Sequence, residues 1–127
     1  MIFGIGIDIL EVKKFKNALK IGGQNFLNLT FTKKERDYAK ATQDVRNLAV
    51  FFSAKEAVFK SLNLPKSKIK NFNYFKEMEV SYLPSGKPEV RFLDSLAKKF
   101  PGENFKIFIS ISYTSKLAIT FAIIEKE

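Results

Sequence analysis

Two carboxylates stand where the surrounding residue types do not favour a charge. Asp8 lies in the apolar run Ile5-Gly6-Ile7-Asp8-Ile9. Glu56 lies four residues after Phe52 and three before Phe59, in a stretch where Val45, Leu48, Ala49, Phe52, Phe59 and Leu62 recur at helical spacing. A carboxylate buried alone costs several kcal/mol or holds a proton, so each of these two calls for a cation. Two readings follow. Each acid has its own Lys or Arg, or the two converge on one divalent ion. Lys60, one helical turn after Glu56, reaches the same region whichever holds, while Lys55 points elsewhere on the helical wheel. His and Cys are both absent, which excludes a His-based triad, a thiol nucleophile and a zinc site of the usual ligands. Metal chemistry is left to oxygen ligands around a hard ion such as Mg²⁺, Mn²⁺ or Ca²⁺.

Weaker signals are spread along the chain. Gly86-Lys87-Pro88 offers a turn with one cation, and Ser112, Tyr113 and Thr114 crowd three hydroxyls at a strand end. Both patterns are also ordinary turn formers. Lys13, Lys14 and Lys16 follow Asp8 closely, as a solvated helix face or a docking patch. Gly4 and Gly6 admit close approach of another element. FGIGID has no GxGxxG spacing, so packing is the reading favoured over phosphate binding.

The elements that would position these residues are legible as periodicities. Phe3 to Ile9 alternates as a strand with one greasy and one nearly bare face. Glu11 to Lys20 reads as a short helix stopped by Gly22-Gly23. Thr32 with Glu35 forms a capping box opening a helix through Tyr38. Asp44 can cap the longer helix that carries Glu56, and Pro65 keeps it from running on. Asn63 to Asn73 reads as a surface loop. Glu79–Leu83 and Pro88–Phe92 flank a hairpin turn, Asp94–Phe100 is a short helix, and two strands meet at Thr114-Ser115-Lys116. The order gives an α+β fold, a mainly antiparallel sheet with helices packed on one side.

At 127 residues the chain has the length of a single domain, 1–127. Its net charge of +9 suits an anionic partner: nucleic acid, a phosphorylated ligand, an acidic protein or a membrane surface. No apolar run is long enough to span a bilayer, and the N-terminus lacks a basic segment ahead of its apolar one. A cytoplasmic location is the expectation.

The motifs taken in order resemble the holo-acyl-carrier-protein synthases, small members of the 4′-phosphopantetheinyl transferase family. The matching residues are Gly4-Ile5-Gly6-Ile7-Asp8-Ile9 with Glu11, and Thr32-Lys33-Lys34-Glu35 with Tyr38. Ala54-Lys55-Glu56-Ala57 with Lys60 follows, then Glu77-Met78-Glu79-Val80, Gly86-Lys87-Pro88 and Ser110-Ile111-Ser112-Tyr113-Thr114. The resemblance implies that family's fold and a Mg²⁺-dependent transfer. The phosphopantetheine arm of coenzyme A would pass to a serine of apo acyl carrier protein, releasing adenosine 3′,5′-bisphosphate, as in fatty acid biosynthesis. It assigns Asp8 and Glu56 to the metal and, with Lys60, to catalysis. Lys60, Gly86, Lys87, Pro88, Ser112, Tyr113 and Thr114 would bind coenzyme A. Lys13, Lys14 and Lys16 would dock the carrier. A homotrimer with sites at subunit contacts is implied, with neither nucleic acid nor membrane as partner. With no His, the serine proton would pass to Glu56, Asp8 or a water on the metal.

Three positions depart from the family pattern. Tyr113 stands where it usually carries His, Phe51 where an Arg precedes the motif Glu by five, and Lys14 where an Arg is common. A carrier-binding homologue without catalysis, and a basic RNA-binding module, are the competing readings.

Overall fold

The computed structural model describes residues 1–64 and 74–127. Strand β1 (Ile2–Glu11) leads into helix α1 (Val12–Thr30), followed by α2 (Lys33–Thr42) and α3 (Arg46–Ser61). A 3₁₀ turn over Tyr74–Glu77 precedes the hairpin of β2 (Met78–Tyr82) and β3 (Pro88–Phe92). Helix α4 (Asp94–Lys99), β4 (Phe105–Tyr113) and β5 (Leu117–Lys126) complete the chain. The strands form one antiparallel sheet in the order β1-β5-β4 and a second of β2 and β3. The α+β class with antiparallel sheets, read from the sequence, is the observed one.

The bare face of β1 is the inner one. A Cβ added at Gly4 would lie 1.9 Å from the Ser61 carbonyl oxygen, and one at Gly6 1.9 Å from that of Ala57. Helix α3 therefore rests its backbone on β1, and small residues supply the contact from both sides. Ser53, Ala54, Ala57 and Ser61 of the helix are buried, as are Ala118, Thr120 and Ala122 of β5. The greasy face turns outward, with Ile5, Ile7 and Ile9 each about 60% exposed beside Ile119, Phe121 and Phe108.

Three expectations are corrected. Helix α1 does not stop at Gly22-Gly23. Gly23 takes φ 57° and ψ −145°, the axis kinks, and the helix resumes to Thr30. Rings hold the second half in place: Phe26 lies 6.0 Å from Phe15 and 6.2 Å from Phe52, centroid to centroid. Packing overrides the local break. Helix α2 likewise passes Tyr38 and ends at Thr42, with Gln43 in the left-handed region. Helix α3 is buried over most of its circumference, with Val50, Phe51 and Lys55 inside as well as Leu48 and Ala49. Val45, Phe52, Glu56 and Phe59 are only half-buried, so Glu56 sits at the edge of the packed surface rather than within it. The helix lies between the sheet on one side and α1, α2 and the hairpin on the other.

The Thr32–Glu35 capping box forms as expected. Asp44 also serves the start of α3, its Oδ1 accepting from the Arg46 amide at 3.0 Å. Pro65 and most of the loop expected over 63–73 lie outside the described residues. Among the described residues, no helix is long and apolar enough to cross a membrane.

Candidate active site

Asp8 is on the inner face of β1, opposite Thr120 of β5, and its side chain is 12% exposed. Helix α3 crosses above and brings Glu56 and Lys60 to it. Lys60 Nζ donates to the Ile7 carbonyl at 2.9 Å and lies 3.6 Å from Asp8 Oδ1. Asp8 Oδ2 is buried and has no hydrogen-bond partner, alone in that respect among the described side chains. Burial pushes the Glu56 carboxyl above its usual value, and the Asp8 charge pushes it further, against the pull of Lys60. The two acids are thus close enough to repel, and one ammonium serves both.

That donor set suits a hard divalent ion. Mg²⁺ uses one or two protein carboxylates and takes its remaining ligands from phosphates and water. Asp8 and Glu56 supply the carboxylates, and the orphaned Oδ2 is a buried acceptor without a donor. No group of three or more acids that could hold a metal exists among the described residues. Such a site needs a ligand's oxygens to be completed.

The residues expected to bind coenzyme A separate. Gly86, Pro88 and Tyr113 line one pocket of about 390 Å³ with Tyr38, Asn47, Tyr82 and Ile111. Asp8, Glu56 and Lys60 are not among its walls. The carbonyl of Lys87 accepts from the Leu83 amide at 2.8 Å, closing the hairpin turn in which Gly86 takes φ 87°. Ser112 is exposed in β4. The Thr114 hydroxyl accepts from the Lys116 and Leu117 amides, both at 3.1 Å, so it forms the turn that the hydroxyl cluster also allowed.

Lys13, Lys14 and Lys16 are all exposed on α1. Lys13 and Lys16 join Lys116 around a pocket of about 520 Å³ that Glu11, Val12, Ser115 and Leu117 also line. Lys14 lies 3.8 Å from Glu11 instead. The sequence reading missed Lys116, and it missed Tyr38, Asn47 and Tyr82 as pocket walls. It placed Lys55 away from the acids, correctly, without finding its partner. Lys55 is fully buried, with Nζ 2.5 Å from Glu35 Oε1 and 2.8 Å from the carbonyls of Thr30 and Phe75. A charge within an otherwise apolar helix was the available signal.

The family model described as the 4′-phosphopantetheinyl transferase superfamily matches residues 4–121. The chain belongs to that superfamily. It is 43% identical over 126 residues to a holo-[acyl-carrier-protein] synthase of Clostridium botulinum, covering 98% of each. It is 38% identical to one from Thermodesulfovibrio yellowstonii, over 98% of this chain and 99% of the relative. Among solved structures, the Neisseria meningitidis holo-[acyl-carrier-protein] synthase superposes with a TM-score of 0.86 at 29% identity, over 99% of this chain and all of that one. The Bacillus anthracis synthase, solved in complex with CoA (3′,5′-ADP), gives 0.78 at 27% identity, over 100% and 99%. As a member of this superfamily the chain is a transferase, and its fold is that of these synthases.

Proposed function

We propose that residues 1–127 act as one phosphopantetheinyl transferase domain. It moves the phosphopantetheine arm of coenzyme A to a serine of an apo acyl carrier protein, in the cytoplasm. The observation that carries the site is the buried Asp8 Oδ2 without a partner, beside a Glu56 whose proton affinity is raised.

Asp8 and Glu56 would hold Mg²⁺, which supplies charge neutralisation to the diphosphate of coenzyme A when bound. The chain's own groups do the rest. Lys60, fixed by the Ile7 carbonyl, sets an ammonium beside the phosphate that departs. The serine Oγ forms a bond to the β-phosphorus as the bond from that phosphorus to the bridging oxygen breaks. The serine proton passes to the carboxylate pair. Adenosine 3′,5′-bisphosphate leaves with the bridging oxygen. Lys13, Lys16 and Lys116 outnumber Glu11 around their pocket, and that net positive charge is suited to an acidic carrier.

The carboxylate cluster and the Gly86–Tyr113 pocket have no wall in common, and β1, β5 and β4 present isoleucines and phenylalanines outward. Both features support a homotrimer in which a neighbouring copy completes each site and covers that face. The test is incubation with apo carrier, coenzyme A and Mg²⁺, read by intact mass. A gain of one phosphopantetheine that disappears with chelator is expected. An unmodified carrier under saturating donor and metal refutes the assignment.

A further inference from the structure

A hydrogen-bond donor stands opposite the partnerless oxygen of Asp8 and is turned away from it. Thr120 of β5 is the cross-strand partner of Asp8, on the inner face of the sheet. Residues opposed in this way bring their Cβ atoms to about 4.5–5.5 Å, so a threonine hydroxyl is within reach of the carboxylate. Yet Asp8 Oδ2 is buried without a partner, and the Thr120 hydroxyl donates instead to Ser53 Oγ of α3 at 3.1 Å. Ser53 and Thr120 are both fully buried. Ser53 lies about one helical turn before Glu56, on the helix that crosses above Asp8.

Packing does not call for these hydroxyls. Thr120 is flanked on its face of β5 by Ala118 and Ala122, both fully buried, and α3 meets β1 through the backbone of Ala57. Two buried hydroxyls bonded to each other gain little over two apolar groups of the same shape. The other buried serine of α3, Ser61, spends its hydroxyl on its own helix, donating to the Val58 carbonyl. Ser53 is instead bonded across to the sheet. A charge-assisted bond from Thr120 to Asp8 would be stronger than one between neutral hydroxyls. Ser53 is what weighs against it. Were Thr120 to turn to Asp8, Ser53 would lose its buried partner, and an orphaned buried group costs more than a neutral hydrogen bond returns.

We infer that Ser53 is a positioning residue for Asp8: by engaging the Thr120 hydroxyl it keeps Asp8 Oδ2 bare and available to a divalent ion. The inference rests on the metal assignment proposed above and adds two residues that the assignment does not require. Without Ser53, Thr120 exchanges its methyl and hydroxyl by rotation about χ1, donates to Asp8 and competes with the ion for that oxygen. In a chain lacking Ser53 the one hydroxyl therefore has two opposite effects. It stabilises the ion-free fold and weakens binding of the ion.

The test compares the assembled wild-type protein with Ser53→Ala and with Ser53→Ala/Thr120→Val, in two arms. In the first, Mg²⁺ is titrated calorimetrically into protein saturated with coenzyme A. Ser53→Ala should weaken the ion at least about fivefold, and the added Thr120→Val should bring it back to within about twofold of the wild type. Wild-type affinity in Ser53→Ala, or a double variant that binds no better than the single one, overturns the inference while the metal assignment stands. In the second arm, urea midpoints are compared in chelator. Adding Thr120→Val to Ser53→Ala should lower the midpoint, because it removes a bond that Thr120 has made to a charged group. A purely structural pair gives the opposite sign: with Ser53 gone Thr120 is an orphaned hydroxyl, and valine raises the midpoint. A midpoint raised or unchanged overturns the inference. If the wild type takes up no Mg²⁺ the metal assignment itself fails, and the chelator arm alone then upholds or overturns the hold of Ser53 on Thr120.

Discussion

Helix α3 carries two adjacent charged residues, Lys55 and Glu56, that end in opposite kinds of environment. Lys55 turns into the protein and meets Glu35. That carboxylate also accepts from the Thr32 amide at 2.9 Å and the Val80 amide at 2.7 Å, and Lys55 donates to two backbone carbonyls besides. Burial raises the Glu35 carboxyl and lowers the Lys55 ammonium, against their mutual attraction. The polar groups there have partners, and the pair ties the ends of α1 and α2 to α3, the 3₁₀ turn and β2. Glu56, one residue on, turns toward Asp8. There two acids share one half-exposed lysine, and one buried oxygen has no donor. A closed network of hydrogen bonds makes a structural joint, and an open one makes a binding site. The motif Ala54-Lys55-Glu56-Ala57 thus divides its labour between holding the helix in place and presenting a carboxylate.

The largest effect expected from this contrast is on stability. Lys55→Ala leaves Glu35 buried without its cation and should lower the unfolding free energy by about 3–5 kcal/mol, read in urea titrations. A loss below about 1 kcal/mol would mean that Glu35 relaxes to water and that the joint is not closed. On the other side, Glu56→Gln keeps the shape of the side chain. It should reduce transfer by about 10²–10³-fold, a barrier increase of about 3–4 kcal/mol, with the far-UV circular dichroism unchanged. Transfer at wild-type rate would place the chemistry elsewhere.

How legible each region was in the sequence follows from the same contrast. Asp8 and Glu56 stood out because a carboxylate among isoleucines and glycines, or on a helix of phenylalanines, conflicts with its neighbours. That conflict survives folding and is the site. The joint was half legible: the Thr32–Glu35 box is local, whereas the contact from Glu35 to Lys55 depends on tertiary packing. The kinked second half of α1 was hidden by its own glycines, because the rings of Phe15, Phe26 and Phe52 that stabilise it come from separate segments. The aromatic pocket was legible only in part: Gly86, Pro88 and Tyr113 stood in the motifs, but nothing in the sequence showed that Tyr38, Asn47 and Tyr82 join them. Tyr38, Tyr82 and Tyr113 lie on α2, β2 and β4, and each alone is an ordinary half-exposed tyrosine. The strand pattern of residues 3–9 was clear, but periodicity does not say which face is inward. Only the approach of α3 to Gly4 and Gly6 decides that.

The smallest effect separates the two regions most sharply, because its sign is opposite in them. The folded-state pKa of Glu56 lies above its unfolded value, so the fold prefers the protonated side chain. That preference contributes fully at pH below the ordinary glutamate range and is lost as pH rises through the raised folded value. At neutral pH in the presence of chelator the ionised Glu56 therefore costs stability, and Glu56→Gln should melt slightly higher than the wild type. The half-exposed position limits the gain to about 1 kcal/mol or less. The advantage should vanish toward pH 4, where the wild-type residue is itself protonated. With Mg²⁺ added the order should reverse, because the ion stabilises only the chain that retains its ligand. Burial raises the Glu35 carboxyl as well, but Glu35→Gln leaves the Lys55 ammonium buried without its anion, so it should be destabilising at neutral pH with or without the ion. If Glu56→Gln behaves the same way, Glu56 belongs to a closed structural network, and the distinction between the two halves of the motif disappears.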